Sequence, residues 1–229
     1  MSWRGSRAAA RQRYLTNYDA TAVEQYDRLR GLGYLEPEDE AAYLADIRRV
    51  CKFDSGMRVL DAGAGTGVLS LLLVQLAPIV LTALEPAAAM RARLRSKPSL
   101  QQVACVEGFC DSEADRPLFA PESFDVIASR QVVNGLFDPL VAFRNWHHWL
   151  VPGGWVLVID GLYGRSGWTG EWADEVDVLP VSACESMACA PYLLEACGFD
   201  IETVQLMAAT NRLACTRTKR YVVVARKSP

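Results

Sequence analysis

Three glycines at alternate positions, Gly63, Gly65 and Gly67, have a carboxylate two residues before the first and another eighteen past the last, and this spacing could do chemistry. Val59-Leu60-Asp61-Ala62 leads into them as a strand, and Val68-Leu69-Ser70-Leu71-Leu72-Leu73 leaves them as a helix. Glycine lets the backbone turn sharply at a strand end and pass close to a ligand, while the first amides of the helix face the same space. Asp61 narrows the ligand. A carboxylate there repels a pyrophosphate but suits an ammonium group and hydroxyls, met directly or through water. Glu85 ends a second apolar run, Ile79 to Leu84, and an acid about 20 residues beyond such a loop accepts hydrogen bonds from ribose hydroxyls. By itself Glu85 could equally cap a helix starting near Ala87; behind this loop the ribose role is the better reading. A dinucleotide dehydrogenase would show Gly-x-Gly-x-x-Gly, and here the third glycine comes one residue early.

These side chains act together only if strands deliver them to one edge. Apolar runs at about 57–62, 79–85, 102–107, 124–129 and 154–160 alternate with helical segments, which predicts an α/β fold: a doubly wound, mostly parallel sheet. Runs at 201–206 and 220–225 are further strand candidates. Ligands in such sheets sit beyond the carboxyl ends of the strands where strand order reverses. The strand-tip residues are then Asp61, Ala62, Gly63, Gly65 and Gly67, Glu85 and Pro86, Gly108 to Asp111, and Ser129 to Asn134. Residues 7–51 read as helices broken at Gly31–Gly33 and at Glu36-Pro37-Glu38-Asp39, where Pro37 suits a first turn and the acids its positive end. Tyr18 and Tyr26 are eight apart, within about 80° of each other on one helix, and could serve one surface or simply pack. Residues 161–187 lack clear periodicity and carry Trp168 and Trp172 beside Glu171, Asp174, Glu175 and Asp177. This looks like a substrate-facing loop whose rings and carboxylates would suit a cationic or amine substrate, with aromatics that merely close the fold as the plainer alternative.

Composition sets bounds. The 229 residues suit one domain: an N-terminal helical lid over 1–51 and an α/β core over 52–229. A hydrophobic content of 51%, 22% charged residues and a net charge of −3 are globular and argue against duplex nucleic acid. Arg4, Arg7, Arg11 and Arg13 make the N-terminus locally basic, most simply a solvated helix face. The longest apolar stretch, Val68 to Leu84, contains Ser70, Gln75 and Pro78 and divides better into a helix and a strand than into a membrane span. No secretory pattern follows Met1, so a soluble cytoplasmic protein is expected. Seven cysteines without a CxxC pair predict no disulfide framework, and small buried hydrophobes are the default for all seven, though Cys110 could be exposed. The only histidines, His147 and His148, are adjacent and lie on a helix leading to the far end of the fifth strand, so neither a metal site nor an imidazole base is expected.

The set of segments resembles class I S-adenosylmethionine-dependent methyltransferases, in the broad small-molecule branch often called type 11. Val59 to Gly67 resembles the first motif and Leu84-Glu85-Pro86 the second. Ser123 to Arg130 resembles the fourth strand with its lead-in, and Leu150 to Asp160 the turn and fifth strand. The likeness covers roughly residues 15–225 and implies a seven-stranded Rossmann-like sheet ending in an antiparallel hairpin. It implies that backbone around Gly63, Gly65 and Ser129 holds the cofactor's aminocarboxypropyl part, that Glu85 holds the ribose, and that Pro86 and Phe109 flank the adenine. Tyr18 and Tyr26 resemble a tyrosine pair that closes over cofactor and substrate in phosphoethanolamine methyltransferases. Two departures stand out. Many relatives place Asp directly after the third-strand glycine, whereas Gly108-Phe109-Cys110-Asp111 stands here. Asp111 either takes over recognition of the adenine amino group or is a solvated turn residue. Many relatives also carry a His-His pair where this chain has Asn134-Gly135, so Asn134 could orient a polar group of the substrate.

Methyl transfer from a sulfonium is an in-line displacement that needs mainly alignment and a shielded site. A base matters more for a phenol or carbon acid than for an amine; the candidates are Tyr18, Tyr26, Asp160 and the acids of 171–177. The expectation is a methyltransferase acting on nitrogen or oxygen of a small molecule, nitrogen slightly preferred, as a monomer or homodimer with no membrane partner. No Asn-Pro-Pro-Tyr motif follows the fourth strand, which disfavours nucleic-acid substrates. The rival reading is a non-catalytic cofactor-binding or scaffold protein of the same fold.

Overall fold

The computed structural model describes residues 7–168, 173 and 175–228. The strands are β1 (Arg58–Ala62), β2 (Val80–Leu84), β3 (Ala104–Val106), β4 (Phe124–Arg130), β5 (Leu150–Gly161), β6 (Phe199–Leu206) and β7 (Arg220–Lys227). They form one seven-stranded sheet in the order β3-β2-β1-β4-β5-β7-β6. The first five run parallel, and β7 is antiparallel to both β5 and β6. Strand order reverses between β1 and β4, so the crevice for a ligand opens above their carboxyl ends. The helices are α1 (Arg7–Asn17), α2 (Ala20–Asp27), α3 (Pro37–Val50), α4 (Val68–Leu73), α5 (Ala88–Arg95), α6 (Pro139–Trp149) and α7 (Cys189–Glu195).

Side chains alternate across the sheet, and both faces are covered, as a parallel sheet requires. Leu60, Ile127, Val156, Val158, Tyr221 and Val223 face one layer with Phe143, Trp146 and Trp149 of α6. Val59, Val126, Ala128, Leu157, Ile159, Val222 and Val224 face the other with Tyr43 and Ile47 of α3 and Leu69 and Leu72 of α4. This alternation decides where each polar strand-tip residue points.

Two expectations change. Tyr18 and Tyr26 do not share a helix: α1 ends at Asn17, and Asp19 caps α2 by accepting from the Ala22 amide at 2.8 Å. An acid placed at a helix start competes well with continuing the previous helix. Cysteine usage also differs. Of the free thiols only Cys110 is buried, and Cys184 is joined to Cys189 by a disulfide where 161–187 meets α7. No helix among the described residues is long and apolar enough to cross a membrane.

Candidate functional site

A cavity of about 390 Å³ lies over the tips of β1, β2 and β4, within the usual range for small-molecule sites of about 300–1,000 Å³. Its floor is the glycine loop. Gly63 has φ +74° and Gly65 φ +55°, and the Gly63 and Ala64 amides are anchored on the Leu84 carbonyl at 2.8 and 3.1 Å. A methyl group on Gly63 would meet Val132 at 2.6 Å, whereas at Gly65 nothing lies within 4 Å. One glycine therefore serves packing and the other leaves room for a ligand. Gly67, with φ +90°, packs against Leu94 and Leu100 and does not line the cavity.

Glu85 does line it. Its Oε2 accepts from the Gly65 amide at 3.0 Å and its Oε1 from the Ala87 amide at 2.8 Å, so one buried carboxylate ties the loop to the start of α5. Burial raises its pKa to about 7 against the pull of these amides. Asp61 belongs to the other group. It sits on the α4 face of β1, is fully buried, and accepts from Ser70 Oγ at 2.6 Å, while its Oδ1 has no partner. Burial raises this group too, to about 7. Neither Asp61 nor Ala62 lines the cavity; strand alternation turns the carboxylate into the α4 layer rather than out of the tip.

Gly108, Phe109, Cys110 and Asp111 form the next wall, with Pro86 and Met90 beside them. Asp111 is not a solvated turn residue. It is buried, and its Oδ2 accepts from the Phe137 and Asp138 amides at 2.7 and 3.0 Å while Arg11 approaches Oδ1 at 3.2 Å. The Arg11 guanidinium lies over both Phe109 and Phe137, 5.5 Å from each ring. Helix α1 is thereby fastened to this wall.

An aromatic roof comes from α1, α2 and the turn between them. Tyr14 and Tyr18 are 4.8 Å apart, Tyr18 and Tyr26 6.1 Å, and Tyr14 and Phe109 6.0 Å between ring centres. The two tyrosines expected to cooperate do meet, although by a different path. Burial pushes all three phenols above their ordinary value, which keeps them neutral near pH 7. From 161–187 come Tyr163, Trp168, Glu175 and Leu179. Trp168 donates to the Ser182 carbonyl at 3.0 Å; Trp172 lies outside the described residues. Among the described residues the loop carboxylates are engaged: Arg13 Nε donates to Glu175 at 2.7 Å, and Asp177 pairs with Arg165, so neither is a free charge for a cationic substrate; Glu171 and Asp174 lie outside the described residues.

At the tips of β4, β5 and β7 the polar groups change character. Ser129 and Asp160 lie behind the lining, on the α6 face. Asp160 accepts from the Asn134 and Gly161 amides at 3.1 and 2.7 Å, and burial raises it to about 6. Asn134 lines the cavity with its Oδ1 buried and unpartnered. Arg130 and Arg220 both point to the α3 face and are only 8% and 6% exposed. Gln131, a non-glycine residue at φ +56°, brings its amide end 3.2 Å from Nη2 of each, and with the oxygen turned toward these donors it accepts from both. His147 and His148 lie away from the cavity; His147 packs edge-on against Phe199, and burial lowers its pKa.

A family model described as a methyltransferase domain matches residues 35–181. The chain belongs to the methyltransferase-domain family. Among curated relatives, phosphoethanolamine N-methyltransferase 1 of Triticum aestivum is 30% identical over 159 residues, covering 68% of this chain and 30% of that protein. The ubiquinone biosynthesis O-methyltransferase of Parvibaculum lavamentivorans is 28% identical over 127 residues, covering 56% of this chain and 49% of that one. The chain thus spans under a third of the wheat enzyme's length and about half of the bacterial one's. Among solved structures, Haemonchus contortus phosphoethanolamine N-methyltransferase 2, in complex with phosphomonomethylethanolamine and S-adenosylhomocysteine, matches with a TM-score of 0.69 at 19% identity, covering 93% of this chain and 58% of that one. It shares the fold.

In this methyltransferase domain the α/β sheet is as the sequence predicts, with each strand within a few residues of its expected place. Sequence reasoning missed Tyr14, Tyr163 and Arg220, included Gln131 only within the Ser129 to Asn134 tip, and read Arg11 as part of a solvated helix face, whereas it is fastened to Asp111. Tyr14 was findable: it stands one helical turn before Tyr18. Arg220 carries no local signal, because it reaches the site only through the antiparallel insertion of β7 beside β5.

Proposed function

We propose that this chain binds S-adenosylmethionine across the tips of β1, β2 and β3 and transfers its methyl group to a small-molecule acceptor, nitrogen preferred over oxygen. The observation that carries this reading is the glycine loop held by Glu85, with open space above Gly65. Glu85 would accept from the ribose hydroxyls, Phe109 and Pro86 would flank the adenine, and the glycine-loop backbone would meet the aminocarboxypropyl part. The cofactor supplies a methyl group already activated on a sulfonium. The chain's own residues orient and exclude water: Tyr14, Tyr18 and Tyr26 cover the crevice, and Asn134 positions the acceptor.

Preference for nitrogen rests on chemistry. A neutral amine brings its own lone pair, whereas a phenol must lose a proton near the transition state. No imidazole lines the cavity among the described residues, and buried phenols with raised pKa values are weak bases. The names of the phosphoethanolamine N-methyltransferases support nitrogen; the ubiquinone biosynthesis relative keeps oxygen in view. The lack of a lining imidazole is also what favours a cofactor-binding protein without transferase activity as the second reading. Calorimetry with S-adenosylmethionine decides whether the cofactor binds, and absence of binding ends the proposal. A screen of amines, phenols and acids for release of S-adenosylhomocysteine then separates the readings; binding without turnover on any of them leaves the scaffold.

A further inference from the structure

Arg130 and Arg220 are both buried beside Gln131, and neither has an anion in direct contact. Among the described residues neither forms an ion pair with a carboxylate, although the chain pairs most of its other buried charges. Their direct hydrogen-bond partners are neutral: Arg130 donates to the Gly31 and Leu32 carbonyls and lies over the Tyr43 ring, and Arg220 donates to Tyr163 Oη at 2.5 Å, while the carboxylates in charge range, Asp61 for Arg130 and Asp160 for Arg220, make no ion pair with them and are themselves raised by burial. Arg130 Nε has no partner at all. Buried unpaired cations are costly, and a protein retains two together when an anion completes them.

The fold builds the place for one. Alternation sends Arg130 of β4 and Arg220 of β7 to the same face, and between them β5 ends in Gly161, opposite Arg220 in register. Any side chain at 161 would run into the Arg220 guanidinium and the Tyr163 ring. With its amide oxygen turned toward them Gln131 bridges both guanidiniums; Tyr26, Arg130, Gln131 and Tyr163 open onto the cavity, and Arg220 backs Gln131 and Tyr163 from behind the lining. Paired guanidiniums match the oxygen spacing of a carboxylate or phosphate.

We propose that Arg130 and Arg220, braced by Gln131 and Tyr163, form an oxyanion subsite that holds a carboxylate or phosphate group of the methyl acceptor. This deepens the methyltransferase reading and rests on it. The subsite spans β4 to β7, one to three strand positions from β1, on the side away from Glu85 and Phe109, so an acceptor anchored there extends back toward the glycine loop. The cofactor's own carboxylate is the other possible source of the oxyanion.

The probe is inorganic phosphate, titrated by calorimetry into protein saturated with S-adenosylhomocysteine. Wild type is expected to bind phosphate alongside S-adenosylhomocysteine. Arg220→Gln should weaken it by about thirtyfold or more, the usual result of removing one member of a buried charge contact. Arg220→Lys should recover part, and S-adenosylhomocysteine affinity should stay within about threefold throughout. Phosphate bound equally by wild type and Arg220→Gln, or by neither, overturns the subsite. Phosphate that competes with S-adenosylhomocysteine, with both weakened together in the variant, also overturns it and gives the guanidiniums to the cofactor. If Arg220→Gln does not fold, Arg220→Lys and Tyr163→Phe must each weaken phosphate, and unchanged affinity in both overturns the proposal. Failure of S-adenosylhomocysteine to bind at all is a different result, since phosphate can still be titrated into the free protein.

Discussion

The tips of β1, β2 and β3 and the tips of β4, β5 and β7 face one cavity but are made differently. On the first side, backbone does the work: two glycines at positive φ, amides anchored on Leu84, and a carboxylate already engaged by two amides. On the second, side chains from distant elements converge, and they remain incompletely matched: Arg130, Arg220, a strained Gln131 and the free Oδ1 of Asn134. Backbone geometry suits a ligand that never changes. Side chains can be exchanged one at a time without disturbing the loop, which suits the variable partner of the reaction.

The sharpest way to break this contrast is Glu85→Ala. Losing two charge-assisted hydrogen bonds at about 1.5 kcal/mol each should lower S-adenosylhomocysteine affinity about 100-fold by calorimetry. Wild-type affinity would refute the ribose role. Next come two glycines that should respond oppositely. Gly63→Ala combines a positive φ with a clash on Val132 and should cost about 2–3 kcal/mol of stability by denaturant unfolding, with Val132→Ala restoring only the steric part. Gly65→Ala should cost about 1 kcal/mol of stability, while its methyl group intrudes where the ligand sits and affinity falls further than stability does.

The pH dependence follows in size. Glu85 and Asp61 both titrate near 7 in the fold, above their unfolded values, so their contribution to stability is full below about 4 and is lost as pH rises through 7. The ligand-free protein should therefore melt lower at pH 8 than at pH 5, and Glu85→Gln should flatten that slope relative to wild type. Cofactor affinity should move the other way, rising about tenfold from pH 6 to pH 8 as Glu85 ionises to accept from the ribose. Affinity independent of pH would contradict this. The smallest effect belongs to Trp168→Ala. It should raise acceptor KM several-fold and leave S-adenosylhomocysteine affinity unchanged, which would confirm that the halves are separable.

The same contrast explains what could be read from the sequence. Glycine spacing, strand periodicity and an acid at a fixed distance are local signals, so Gly63, Gly65 and Glu85 are legible in the sequence as lining residues. Asp61 and Asp160 were placed at the right tips but on the wrong side of the lining, because strand phase, not position, decides which layer a side chain enters. The Tyr18 to Tyr26 pairing survived a wrong helix, since Asp19 breaks the helix while the chain still folds back. Arg220 was invisible: 90 residues separate it from Arg130, and only the order β5-β7-β6 joins them.

That order has a consequence for biogenesis. β7 is synthesised after every other strand, yet it lies inside the sheet rather than at its rim. Until residues 220–227 emerge from the ribosome, β5 presents an open edge and β6 has no neighbour, an invitation to wrong pairing. The strands and glycine loop of the proposed cofactor side, β1 to β3, are synthesised by residue 111, more than 100 residues earlier, and β4, which pairs with β1, follows by residue 130. A nascent protein of this design holds the glycine loop before the tip of β7 exists.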